Sequence, residues 1–93
     1  MMQFTFDPDK DATNIVKHGL SLNDAPLVFN APDKLTLLSP QKGESRLMDI
    51  AMVEVAGVVL ALVYVMRETD EVRAISLRRA SKQERKFYAE NNQ

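Results

Sequence analysis

The chain has 93 residues, 45% of them hydrophobic and 27% charged, which suits one globular domain over residues 1–93 and excludes a disordered chain. Twelve Lys and Arg stand against 13 Asp and Glu, a net charge of −1, so a uniformly basic coat is excluded while a local basic patch is not. Cysteine is absent and histidine occurs once, which excludes disulfides, thiol catalysis and a multi-histidine metal centre.

Gln3-Phe4-Thr5-Phe6 alternates polar and aromatic residues and predicts a short first strand. Asp7-Pro8 predicts a helix start, because Asp caps free N–H groups and Pro at the first position loses no helical bond. Ala12, Ile15 and Val16 are an apolar stripe at helical spacing, expected to face the core, and Gly19 predicts the stop. Ser21 with Asp24 predicts a second helix with Leu22, Ala25, Val28 and Phe29 buried, short or kinked because Pro26 removes a helical bond. Asn30–Asp33 is a loop.

A meander follows. Leu35–Leu38 is a strand, Ser39–Gly43 a turn, and Ser45–Val55 the next strand. After the Ala56-Gly57 turn, Val58–Met66 is apolar on both faces and predicts the central strand. Arg67–Glu71 turns into a last strand, Val72–Leu77. Ser81-x-x-Glu84 is a capping box that opens a final helix over Lys82–Glu90, with Phe87 and Ala80 inward. The order β-α-α-β-β-β-β-α is an α+β layout. Met1–Lys10 has no basic-then-apolar signal, and Val58–Met66 is far short of the roughly 20 residues of a membrane helix, so a cytoplasmic protein without a membrane partner is expected.

Charge is uneven. Arg67–Gln93 holds seven basic and five acidic residues, a net +2, against five and eight, a net −3, in Met1–Met66. Arg78, Arg79 and Lys82 gather where the last strand meets the last helix. Two arginines before a helix are at the wrong end for its dipole, and a guanidinium fork matches phosphate oxygens. The competing reading is a solvated face with ion pairs to Glu68, Asp70 or Glu84. Lys17-His18 closes the first helix, where cations favour the helix dipole, and histidine is the one residue type here whose reference pKa lies near neutrality. Glu44-x-Arg46 places a carboxylate and a guanidinium on one face of a strand. RNA cleavage through the 2′-hydroxyl needs a proton acceptor, cations for the phosphoryl oxygens and an acid for the leaving oxygen, and no metal or cofactor. Candidates are His18 or Glu44 as base, Lys17, Arg46, Arg67, Arg78 and Arg79 as cations, and His18 or Tyr88 as acid.

The ordered motifs resemble the BrnT family of type II toxins, small ribonucleases with a RelE-like fold. Phe4-Thr5-Phe6-Asp7, Lys10, Asn14 and Lys17-His18-Gly19 are similar to the family's F-x-W-D-x-x-K-x-x-x-N-x-x-K-H-G. Ala25, Val28-Phe29 and Glu44-x-Arg46 follow at family spacing. Arg67, Arg73-x-Ile75-Ser76-x-Arg78-x-Ala80, Glu84-Arg85 and Tyr88 are similar to its closing R…R-x-I-S-A-R-x-A-x-x-x-E-R-x-x-Y. The resemblance implies a compact RelE-like domain that cleaves RNA and halts translation. It also implies a BrnA-like DNA-binding antitoxin, a heterotetramer, and operator DNA reached only through that antitoxin. His18, Lys17, Glu44, Arg67 and Arg79 would be catalytic, and Arg46, Arg78, Lys82, Arg85 and Tyr88 would hold RNA. The chain departs from the family at Phe6 (Trp), Leu22 (Phe), Leu77 (Ala) and Val65-Met66 (Thr-Glu). An alternative reading is therefore a catalytically weak homologue acting as an antitoxin-binding module and co-repressor.

Overall fold

Two runs of alternating or fully apolar residues, Leu47–Val53 and Val58–Arg67, build the middle of one five-stranded sheet. A computed structural model describes residues 2–38, 47–53 and 57–92 of the protein. The elements are β1 Gln3–Thr5, α1 Pro8–His18, a 3-10 turn Leu22–Asp24, α2 Ala25–Phe29, β2 Leu35–Leu38, β3 Leu47–Val53, β4 Val58–Arg67, β5 Glu71–Arg79 and α3 Lys82–Asn91. The α+β order is as expected. Strands lie in the order β1-β5-β4-β3-β2, so the most apolar strand, β4, is central. All pairs are antiparallel except β1, which runs parallel to β5 at one edge. The expected turn Ser39–Gly43, Glu44 and Arg46 lie outside the described residues.

Residues opposite one another in a ladder share a face, and neighbours along a strand alternate. One face carries Phe4, Thr36, Asp49, Leu62, Tyr64, Val72 and Leu77. α2 packs here: Phe29 meets the rings of Phe4 and Tyr64 edge-on at 5.5 and 5.4 Å. Leu22, Ala25 and Val28 are buried with it, as expected. Pro26 is accommodated because the chain splits. A 3-10 turn capped by Ser21 ends at Asp24, and α2 starts afresh with Pro26 in its first turn, where its missing N–H has no partner to lose.

Asp49 is fully buried on this face. A desolvated carboxylate needs partners, and three side chains supply them. Lys34 Nζ lies 2.7 Å away, Thr36 Oγ1 donates at 2.6 Å and Tyr64 OH at 3.1 Å. Lys34 also sits 3.8 Å over the Phe29 ring, a cation–π contact. Burial, then Asp49, pushes the Tyr64 hydroxyl well above the ordinary phenol range.

α1 corrects an expectation. Its inward residues are polar: Asn14 is buried and Asp11 half-buried. Ala12 is exposed, and Ile15 and Val16 point outward. The reason lies at the edge of β5. β1 pairs with β5 only from Glu71 to Arg73, leaving the peptide groups beyond it short of a strand partner. Asn14 substitutes for one: its Nδ2 donates to Leu77 O at 2.8 Å and its Oδ1 accepts from Leu77 N at 3.1 Å. Nδ2 also donates to Leu20 O at 2.7 Å. Asp11 accepts from Ser21 Oγ and Leu22 N, joining α1 to the 3-10 turn.

α3 opens with the expected capping box: Ser81 Oγ accepts from Glu84 N, and Glu84 accepts from Ser81 N. Its inward aromatic is Tyr88, not Phe87, which is half out in solvent. Tyr88 OH donates to Asp33 at 2.6 Å, which a phenylalanine is unable to do.

Asn14→Ala strands the Leu77 peptide at a buried edge and is expected to cost about 2–3 kcal/mol. Urea unfolding should show the loss, and hydrogen exchange at the Leu77 amide should accelerate more than at Leu62.

Candidate functional site

The β4–β5 pair sets the distribution of charge. Its ladder runs Arg67↔Glu71, Val65↔Arg73 and Tyr64↔Ala74, then resumes at Val63↔Ser76, leaving Ile75 as a bulge. The extra residue reverses the alternation. Without it Arg73 and Arg78 would face opposite sides; with it Arg67, Arg73, Ser76 and Arg78 lie in one row, on the face opposite α2. Arg67 and Arg73 are diagonal neighbours, a step of about 7–8 Å. Arg79 falls on the other face, and about 25 Å of strand separates it from the Arg67 end. Arg78 and Arg79 therefore do not act as a pair, and Arg79 and Arg67 do not meet.

Arg78 is already engaged. Its Nη1 and Nη2 bind Glu84 Oε1 and Oε2 at 2.7 and 2.9 Å, a bidentate pair, and Nη2 approaches Met48 Sδ at 3.8 Å. The anion expected at the start of α3 is thus partly supplied by Glu84 itself. The guanidinium of Arg78, followed by the N-terminal amides near Ser81, holds the Glu84 carboxyl down at about 2 against burial that opposes it. Arg67, Arg73, Arg79, Lys82, Lys17 and Lys10 form no salt bridge among the described residues, although Glu71 stands directly opposite Arg67 in the ladder.

Two cavities of similar size border these residues. One, of about 290 Å³, lies between α1 and β5 and is lined by Asp9, Lys10, Thr13, Asn14, Lys17, His18, Ile75 and Ser76. Asn14 fixes this juncture, and Gly19, with φ +69°, ends α1 immediately after His18. Ser76 belongs both to this cavity and to the arginine row, so His18 and Lys17 stand beside the edge of the basic face. The second, about 280 Å³, lies at the far end of β5, lined by Arg79, Arg85, Ala80, Met52, Gly57, Val58 and Val59. Arg85 Nη1 donates there to Ala80 O at 2.9 Å. A larger cavity, about 690 Å³, lies elsewhere, between α2 and β3, and is mostly apolar, with Asp33 on its wall. The cations are not there, so size does not mark the site. Lys82 is exposed on α3. Tyr88 is buried, its hydroxyl raised above the phenol range first by desolvation and then by Asp33. Among the described residues no group of three His, Cys, Asp or Glu is placed to hold a metal, and no helix is long and apolar enough to cross a membrane.

Arg73 is the residue sequence reasoning passed over as a candidate. It was visible as part of R-x-I-S-x-R, but its place in the row depends on a bulge that the letters do not reveal.

The folded carboxyl of Glu84 lies below its ordinary value, so its contribution to stability is full above the unfolded value near 4.5 and fades as pH falls toward 2. Glu84→Gln should flatten the acid limb of stability between those values in urea titrations at stepped pH. An unchanged limb would remove the Arg78–Glu84 pair as its cause.

The family described as "Ribonuclease toxin, BrnT, of type II toxin-antitoxin system" matches residues 6–84. Among solved structures, the chain is similar to the ribonuclease toxin BrnT of Brucella abortus, at 27% identity and a TM-score of 0.66. The match covers 88% of this chain and all of that one. No curated protein matches the chain.

Proposed function

Since the chain belongs to the BrnT family of ribonuclease toxins of type II toxin–antitoxin systems, we propose that it cleaves RNA as a metal-independent endoribonuclease and so halts translation. It acts in the cytoplasm, and a BrnA-like antitoxin neutralises it. The pair reaches operator DNA only through that antitoxin. The observation that carries the activity is the row Arg67–Arg73–Ser76–Arg78, with His18 and Lys17 at its edge around a shared serine.

The chemistry follows from that arrangement. A base takes the proton of a ribose 2′-hydroxyl, and that oxygen forms a bond to phosphorus. The bond to the 5′ oxygen breaks, and an acid returns a proton to it. The products are a 2′,3′-cyclic phosphate and a 5′-hydroxyl. His18 suits either proton role at neutral pH, with Glu44 as its counterpart. Arg73, Arg67 and Lys17 neutralise the phosphoryl oxygens as charge accumulates. Arg46, Arg79, Lys82 and Arg85 track the flanking phosphates. Arg78 contributes through the field of its ion pair rather than as a free fork, and Tyr88 shapes the sheet–helix junction.

The engagement of Arg78 by Glu84 favours a second reading: an antitoxin-binding module with little nuclease activity. Expression without antitoxin separates the two. On the first reading cells arrest, and the purified protein cuts RNA in EDTA. His18→Ala should then lower cleavage by about 10²–10⁴-fold and Arg73→Ala by about 10–10²-fold. A folded product that neither arrests growth nor cuts RNA would leave only the second reading.

A further inference from the structure

One carboxylate stands within the arginine row. Glu71 lies directly opposite Arg67 in the ladder and two residues before Arg73 on the same strand, so the three share a face. Cross-strand partners are about 5 Å apart and strand residues two apart about 7 Å, so Glu71 borders both guanidiniums. A carboxylate so placed commonly closes an ion pair. Here no salt bridge joins Glu71 to Arg67 or Arg73. Instead Thr5 Oγ1 donates to Glu71 Oε2 at 2.6 Å, from β1 on the far side of β5. The hydroxyl draws the carboxylate toward the sheet edge and away from β4. Thr5 and Glu71 are each half-buried, while Arg67 is exposed. Only Oε2 is engaged by Thr5, and Oε1 accepts no hydrogen bond among the described residues.

The chemistry of that oxygen selects its partner. A carboxylate only accepts hydrogen bonds. Phosphate oxygens also only accept, so a phosphate held by either arginine offers Glu71 nothing. Along a sugar–phosphate backbone the group that donates is the ribose 2′-hydroxyl, which DNA lacks. Arg67 and Arg73, as diagonal neighbours, are spaced to hold consecutive phosphates of one strand, and the ribose lies between those phosphates. Guanidinium–phosphate contacts alone position a strand without reading it.

We propose that Glu71, positioned by Thr5, accepts the hydrogen of a ribose 2′-hydroxyl while Arg67 and Arg73 hold the phosphates on either side, so that the basic row takes RNA and turns away DNA. The inference rests on the ribonuclease reading above and deepens it, by naming the residue that tells the two nucleic acids apart. The competing account is a structural clasp between β1 and β5, which would be indifferent to the sugar.

The test is fluorescence anisotropy of the full chain with labelled single-stranded RNA, DNA and 2′-O-methyl RNA of one sequence. A His18→Ala background is used, gels check that the RNA stays uncut, and circular dichroism melts check that each variant is folded. With Glu71 in place, RNA is expected to bind about tenfold more tightly than either of the other two strands. Glu71→Val suits a strand but removes the acceptor, and should bring that preference below about threefold. Glu71→Gln keeps an acceptor oxygen and should retain the preference while both affinities rise. Thr5→Val frees the carboxylate to close on Arg67 and should also lower the preference; where Glu71→Val does not fold, this variant decides by the same ratio. Glu68→Gln, at an exposed acid in the adjoining turn, should raise both affinities alike. An unchanged preference in folded Glu71→Val, or equal binding of RNA and DNA with Glu71 in place, overturns the proposal. Cleavage by the protein with His18 intact is measured separately. Its absence beside an intact preference counts against the nuclease reading alone, and cleavage without a preference counts against this proposal alone.

Discussion

A single amide, that of Asn14, stands in for a missing stretch of β-strand. β1 is three residues long and covers β5 only as far as Arg73. Beyond that point the edge must find partners elsewhere or face solvent. Asn14 offers a donor and an acceptor at the spacing of a peptide and pairs with Leu77 as a neighbouring strand would. Nearly everything distinctive about the helical side follows. α1 has to turn a polar side inward, its apolar side is left outward, and His18 is carried to the place where the helix meets the bulge of β5.

That bulge is the second determinant. A regular strand would have split the arginines of β5 between the two faces in another way, with Arg79 rather than Arg78 beside Arg73. One unpaired residue, Ile75, sends Arg78 to the row with Arg67 and Arg73. Glu84 then binds Arg78 from α3 and docks the last helix against this side. The pair serves structure at the cost of one free guanidinium. The buried Asp49 plays a comparable part on the other face, where Lys34, Thr36 and Tyr64 tie β2, β3 and β4 together around one carboxylate. Both carboxylates are satisfied by groups from different elements, so each holds tertiary contacts rather than local ones.

The motifs of the linear chain were legible because they act within a few residues. The capping box of Ser81 and Glu84, the stop at Gly19 and the apolar run of β4 each state a local preference, and each formed. The inward direction of α1 was not legible, because an apolar stripe normally marks the buried side and Asn14 reads as a solvated residue. Its partner is 63 residues away, at Leu77. Phe87 reads as inward for the same kind of reason: hydrophobicity alone points a phenylalanine to the core, and only the nearby Asp33 makes Tyr88 the better fit there.

By itself, then, the order of residues determined the α+β element sequence, the family and the inventory of cationic and titratable groups. All of these depend on neighbours within a turn or a strand, or on a pattern of spacings. Only the tertiary structure decided which of those groups stand together. The strand register, its one-residue slip and the side-chain amide at an open edge are set by pairing between distant segments, and such pairing leaves no periodic mark in the chain.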